Sequence, residues 1–385
     1  MKLGKLCILF TDGDWIESKD QSDSGIRLIQ TGNIGNGEFL YKNDKAKYIS
    51  VDTFKRLNCK EVFPNDILVS RLPEPVGRGC IIPDIGEKMI TAVDCTICRI
   101  NENLVDRKYF CYFLESNAYK TQLEQHVTGT TRKRISRKNL SSVEIDIPEQ
   151  AKQKEVVYKL DRLKKIIQNY NRELDLLDEL VRARFVEMFG DVQDAKKHRS
   201  IQLKDICNTV TGGTPSTKHV EYYNGTIPWI STVSLGPNYI DGTTAKAFIT
   251  QEAVDNSSTK IIPSGSILFG TRVGVGKSSI NQVEMCTNQD IVAIIDLDES
   301  KYNKLYIKYV LDTYQSYFDS IKKGATILGI SSDDLKNIYV PDASLYEQDR
   351  FEKFVKQIDK SRSRIQKSLE ASQELFDSLM QEYFS

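Results

Sequence analysis

Histidine and tryptophan are scarce in this 385-residue chain, which has three of the first and two of the second. The three histidines, His126, His198 and His219, are far apart, and no second cysteine pair accompanies Cys95 and Cys98. A zinc site normally needs four Cys or His ligands, so none is expected. Net charge is also missing, because 53 Lys and Arg balance 53 Asp and Glu. That removes the simplest mark of a nucleic-acid binder, a strongly basic domain. Local basic patches remain open, since fields act over a Debye length of roughly 8–10 Å. No apolar run approaches the roughly 20 residues needed to span a bilayer. Met1 to Phe10 carries two lysines and a short apolar stretch, with Asp12 and Asp14 following at once and no small-residue cleavage site. Neither a membrane span nor a secretory leader is expected. The eight cysteines are scattered, which favours reduced thiols in a cytosol over a disulfide framework.

Catalytic signatures are absent as well. There is no Gly-x-Ser-x-Gly elbow, no His-Glu-x-x-His, no Asn/Asp-Pro-Pro-aromatic motif and no glycine-rich cofactor loop after a clear strand. The stretch Gly270 to Ser278 approximates a phosphate-binding loop, but Thr271 stands where the first glycine is required. Pro83 to Lys88 has the letters of a nuclease site, yet its carboxylates are crowded together, and it is read as a turn. In a strand, positions 95 and 98 point to opposite faces, so Cys95 and Cys98 are expected as core thiols.

What the chain does have is an internal repeat. Ile26 to Ile34 matches Ile227 to Leu235, Phe63 to Arg71 matches Ile262 to Arg272, and Gly129 to Ser136 matches Gly324 to Ser331. The common order argues for duplication. The segments closing each half match best. Val156, Leu160, Leu163, Ile167, Tyr170, Leu174, Leu177 and Val181 recur at steps of four and three, a heptad seam. Phe351, Val355, Ile358, Arg362, Ile365, Leu369, Ser372, Phe376, Leu379 and Tyr383 repeat it in the same phase, with Arg362 and Ser372 as polar interruptions. Neither glycine nor proline occurs between 151 and 189 or between 345 and 385, while Pro148 and Pro341 sit just upstream. Each helix should be about 50–60 Å long at 1.5 Å per residue. That exceeds a compact domain, so the two helices are expected to pair with each other, and further helices from another protein can add to them.

The expected plan is globular domain 1–148, long helix 149–190, globular domain 191–342 and long helix 343–385, with mixed α/β domains in an α+β fold. Ala92 to Ile100 and Asp290 to Asp296 read as buried strands, and Asp106 to Glu124 and Lys301 to Ile321 as helices. Loops are expected at 31–37, 73–79 and 211–215.

One local asymmetry stands out. No acidic residue lies between Glu124 and Glu144, whereas Arg132, Lys133, Arg134, Arg137 and Lys138 do. Such side chains reach phosphates, and arginine reads guanine edges with paired hydrogen bonds. A solvated charged turn has the same composition. With the repeat as guide, the candidate DNA-binding residues are Arg71, Arg78, Thr130, Thr131, Arg132, Lys133, Arg134 and Arg137 in the first half, and Arg272, Lys277 and Thr326 in the second.

The chain resembles the specificity subunits of Type I restriction–modification systems. The residues that carry the likeness are Gly25 to Gly37, Thr211-Gly-Gly-Thr-Pro-Ser216 with Ile227-Pro-Trp-Ile230, the blocks ending at Leu140 and Leu335, and Gln153 or Gln348 at the start of each long helix. The likeness covers essentially the whole chain and implies two target-recognition domains, each reading half of a split double-stranded DNA site. It implies long helices paired as an antiparallel coiled coil. It also implies two modification subunits that methylate adenine and restriction subunits that translocate and cut. S-adenosylmethionine, ATP and Mg would lie on those partners, with no cofactor or metal in this chain and a prokaryotic cytoplasm as its location. A coiled-coil scaffold with two ligand-binding domains and no DNA role is the main alternative, and a lone nuclease or methyltransferase is the other.

Overall fold

A computed structural model describes residues 1–129, 133–190, 200–324 and 328–385. The chain divides into two compact units, Met1–Asn171 with Gln366–Ser385, and Arg172–Ile365. Each unit is therefore one globular domain together with a half of each long helix.

In the first unit, buried apolar strands such as Ile26–Ile29 and Ile67–Ser70, with more exposed strands at the edges, build two sheets. Cys7–Asp12, Cys95–Ile100, Ile67–Ser70 and Gly79–Ile81 form one, in that order and antiparallel throughout. Gln21–Ser22, Tyr48–Ile49, Ile26–Ile29, Met89–Thr91 and Glu61–Val62 form the other, with a parallel pairing between Ile26–Ile29 and Met89–Thr91. Strand alternation splits Cys95–Ile100 between two cores. Cys95 and Ile97 pack with Ile29, Leu68 and Cys80, while Cys98 and Ile100 pack with Leu3, Leu6 and Val69. The two thiols thus face opposite ways, as a strand requires. Burial pushes Cys95 and Cys80 up to about 12, so both are protonated at neutral pH.

The second unit repeats this order. Asn208–Thr211, Ile291–Ile295, Ile267–Gly270 and Ser278–Asn281 make the first sheet, extended by Tyr239–Ile240. Ala247–Ile249, Ile227–Ile230, Met285–Thr287 and Ile261–Ile262 make the second, again with one parallel pair. Gly212 lies where the chain passes close to the turn before Ile291. A Cβ there would stand 2.3 Å from the Asn288 carbonyl, which accounts for a glycine in the Thr211–Ser216 segment. Ile267–Gly270 and Ser278–Asn281 are antiparallel arms of a hairpin. The glycine-rich loop between them leads into a strand, so it lacks the helix N-terminus on which a phosphate loop depends.

Three sequence expectations need correction. The stretch 106–124 is two helices, Arg107–Glu115 and Asn117–Glu124, because Ser116 is extended and caps the second by accepting from the Tyr119 amide. The stretch 301–321 also breaks, at Tyr314 and without a side-chain cap, into Lys304–Thr313 and Gln315–Ile321. The repeat match is also shifted by one. The Arg71 and Thr271 amides donate to the Asp94 and Asp290 carbonyls at 2.9 and 2.8 Å, and their own carbonyls accept from Ile135 and Ile330. Arg71 therefore corresponds to Thr271, and Arg272 to Leu72.

The long helices run Gln150–Phe189 and Leu345–Phe384. In the first unit, Val156 and Leu160, early in one helix, share a core with Phe376, Leu379 and Met380, late in the other. In the second unit, Val181 and Phe185 share a core with Phe351 and Val355, and the Phe185 and Phe351 rings are 5.4 Å apart. Late-with-early packing in both units makes the pair an antiparallel coiled coil. The other seam residues, Leu163, Ile167, Tyr170, Leu174, Leu177, Ile358, Ile365 and Leu369, are half-buried. Arg362, one of the two polar seam positions, pairs with Asp178. None of the described helices is long and apolar enough to cross a membrane.

Candidate nucleic-acid interface

In both domains the strand-end loops and one following hairpin lie together. Thr128 bridges Arg134 across a hairpin in the first domain, and Lys323 bridges Gly329 in the second. Ile135 and Ile330, just after each hairpin, are buried and bonded to the residue that follows strand Ile67–Ser70 or Ile267–Gly270, namely Arg71 or Thr271. An apolar plug thus pins each hairpin to its sheet and leaves the neighbouring polar residues outside.

The candidate residues then separate by burial. Lys133, Arg134 and Arg137 are exposed, as is Lys138. Arg134 Nη2 lies 3.4 Å from Asp94 Oδ1, and Arg137 Nη1 lies 3.9 Å from Asp12 Oδ2. Arg272 and Lys277 are exposed on the second domain, with Arg272 Nη1 3.7 Å from Asp290 Oδ1. Thr130, Thr131, Arg132 and Thr326 lie outside the described residues.

Arg71 and Arg78 do not belong to a surface. Arg71 is 4% exposed. It donates to the Val93 carbonyl at 2.7 Å and the Ile135 carbonyl at 3.3 Å, and its Nε is 3.3 Å from Asp12 Oδ1. Arg78 donates to the carbonyls of Ile34, Leu72, Pro75 and Thr31, all within 2.7–2.9 Å. It clamps loop 31–34 to loop 72–75. Their basic character suggests phosphate contact, but the structure turns most of their donors inward to backbone carbonyls.

Sequence reading missed the carboxylates of this site. Asp94 and Asp290 each stand one residue ahead of a core strand, Cys95–Ile100 and Ile291–Ile295. The signal was available in the repeat, because both positions are Asp. Around the first hairpin, Lys133, Arg134, Arg137 and Lys138 are exposed, with Asp94 beside Arg134 and Asp12 beside Arg137, an excess of positive charge on a chain with none overall. Such a patch attracts a polyanion, and its mixture of paired and unpaired cations suits both phosphate contact and base-edge recognition.

Comparison with known proteins follows this duplicated plan. The model of the Type I restriction modification DNA specificity domain family matches residues 1–178 and again 196–373. A Type I restriction enzyme specificity subunit of Escherichia coli is 28% identical over 306 residues, covering 75% of this chain and 70% of that one. A specificity subunit of Methanocaldococcus jannaschii is 34% identical over 150 residues, 39% of this chain, and the match spans only 35% of that subunit's length. Two solved structures share the fold along all of this chain. One, from a study of complex assembly and conformational transition in the type I R-M system, has a TM-score of 0.59 at 15% identity and is 96% covered. The other, the S subunit of a Type-I restriction-modification system from M. genitalium, has a TM-score of 0.53 at 14% identity and is 95% covered.

Proposed function

Since this chain belongs to the Type I restriction modification DNA specificity domain family, matched in both of its halves, we propose that it is the DNA-reading, non-catalytic subunit of a Type I restriction–modification complex. The observation that carries this reading is the repetition of one fold with two different surfaces. The strand order and the backbone bonds at Arg71 and Thr271 recur, while the hairpins they hold differ. The first presents Lys133 and Arg134, the second Leu328 and Gly329. Two frames of one shape with different exposed residues suit two readers of different sequences in one split site.

In this reading each domain reads one half-site of double-stranded DNA, and the coiled coil sets the distance between them. Two modification subunits dock on the chain and methylate adenine, restriction subunits add translocation and cutting, and S-adenosylmethionine, ATP and Mg are held by those partners in a prokaryotic cytoplasm. The division of labour is consistent with a sequence that carries no catalytic motif. Methylome sequencing of the host with and without this gene tests it. The expected result is one split motif, methylated only when the gene is present. An unchanged methylome, together with no binding of duplex DNA by the chain co-purified with its modification subunit, would favour a scaffold without a DNA role.

A further inference from the structure

One arginine in each domain is held against an aspartate at the same place in the fold. Asp94 and Asp290 correspond, because their carbonyls accept from Arg71 and Thr271 in the same way. The arginines paired with them come from different elements. Arg134 reaches Asp94 from the return arm of a hairpin, whereas Arg272 reaches Asp290 from the loop after strand Ile267–Gly270. The side chains of Arg134 and Arg272 are 51% and 55% exposed, and those of the aspartates only 29% and 15%. In each pair the carboxylate is anchored in the domain and the guanidinium is presented to solvent.

Further contacts fix the second pair. Asn288 Nδ2 donates to the other Asp290 oxygen at 3.2 Å. The hairpin of the second domain also crosses the stem of Arg272. A Cβ on Gly329 would stand 2.8 Å from Arg272 Cγ and the same distance from the Thr271 carbonyl, so glycine at 329 makes the approach possible.

An exposed ion pair contributes little to stability, so stability does not explain why the pair occurs in both domains by different routes. Orientation does. A carboxylate 3.4 or 3.7 Å from one guanidinium nitrogen favours one placement of that side chain and leaves its other nitrogens for a ligand. The planar guanidinium fork matches the O6 and N7 acceptors of guanine. The pair is also nearly neutral, so it adds less to phosphate attraction than Lys133, Lys138 or Lys277, which make no ion pair among the described residues.

We propose that Arg134 and Arg272 are the guanine-reading side chains of the two domains, aimed by Asp94 and Asp290 as positioning residues. This rests on the DNA-reading function above. The test uses the complete complex with its modification subunits. Methylation is measured on duplexes carrying each single substitution in the split site, for wild type, Arg134→Lys, Asp94→Asn, Arg272→Lys and Asp290→Asn. Discrimination at one G·C pair of the first half-site should fall about tenfold or more for Arg134→Lys and Asp94→Asn. The same should hold at one G·C pair of the second half-site for Arg272→Lys and Asp290→Asn. Arg134→Lys and Arg272→Lys keep the charge, so the salt dependence of their binding should stay near that of wild type. Variants that alter no position, weaken all positions equally, or act on the other domain's half-site would overturn the inference. If wild type itself modifies no specific sequence, the DNA-reading function fails and this inference with it.

Discussion

Gln153 accepts a hydrogen bond from the Asp106 backbone amide at 2.7 Å, which locks the start of the central helix to the first domain. Its Nε2 donates to the carbonyls of Leu104 and Pro148. Gln348 does the same in the second unit, accepting from the Asn303 amide and donating to Lys301 and Ala343. Both glutamines are fully buried, at 1% and 0% exposure. Each satisfies three backbone groups where a long helix meets its domain.

Replacing either glutamine by leucine would strand those groups. Gln153→Leu should cost the first unit roughly 2–4 kcal/mol, and Gln348→Leu should do the same to the second. Native-state hydrogen exchange gives the clearest measurement. The Asp106 amide should lose protection in the first variant and the Asn303 amide in the second. Unchanged protection would mean that the side chain only fills space.

Exchange of residues 1–148 for the corresponding domain of another family member should change one half of the methylated motif and leave the other intact. The junction falls just before the helix at Gln150, and Gln153 needs only backbone groups from the domain it joins. Methylome sequencing reads the outcome directly. Alteration of both halves would show that the domains do not read independently.

Lys133 and Lys138, which make no ion pair among the described residues, and Arg137, 3.9 Å from Asp12, are the cations of the first hairpin region suited to phosphates. Changing all three to alanine should flatten the dependence of log K on log[salt] by about 0.9 for each phosphate that is no longer neutralised. The preferred sequence should stay the same. Binding titrations of the assembled complex across a salt series check both points, and an unaltered slope would assign these residues to a merely solvated turn.

Glu115 makes a pH-dependent contribution. Its carboxyl is buried against Gly37, and burial raises its pKa above the ordinary value even though Lys164 Nζ lies 3.2 Å from both oxygens. A carboxyl with a raised folded-state pKa costs nothing when protonated in both states. The cost grows as pH rises from the unfolded value through the folded one. Glu115→Gln should therefore be at least as stable as wild type at pH 7 to 8, and the difference should vanish toward pH 4. Thermal unfolding across that range tests it. A variant clearly less stable at pH 7 would show that the bond to Lys164 outweighs burial.

The helices were the most legible part of the sequence. A repeat of four and three apolar steps with no glycine or proline describes a helix and its buried face without reference to anything distant. The residues at Val156, Leu160, Phe351 and Val355 are buried as their spacing requires. The break at Ser116 was harder to read. Leu114 and Glu115 before it and Ala118 after it are good helix formers, and the hydroxyl that caps the second helix is an ordinary surface-type group until the chain turns there.

The candidate site was legible in composition and not in detail. The run of cations from 132 to 138 marks the hairpin in the sequence. Asp94 lies 40 positions before Arg134, and no local pattern ties the two together.

By itself, then, the sequence determined the duplication, the two heptad seams and the basic segment, because each depends on the spacing of residues within one stretch of chain. Tertiary structure alone decided which cations face outward. Arg71 and Arg272 look equivalent in an alignment, yet Arg71 falls at the buried end of a strand and is consumed by carbonyls from residues 93 and 135. Arg272 falls one step later and emerges beside Asp290. A shift of one residue at a strand end reverses the direction of a side chain, and the partners that fix the register lie far away in sequence.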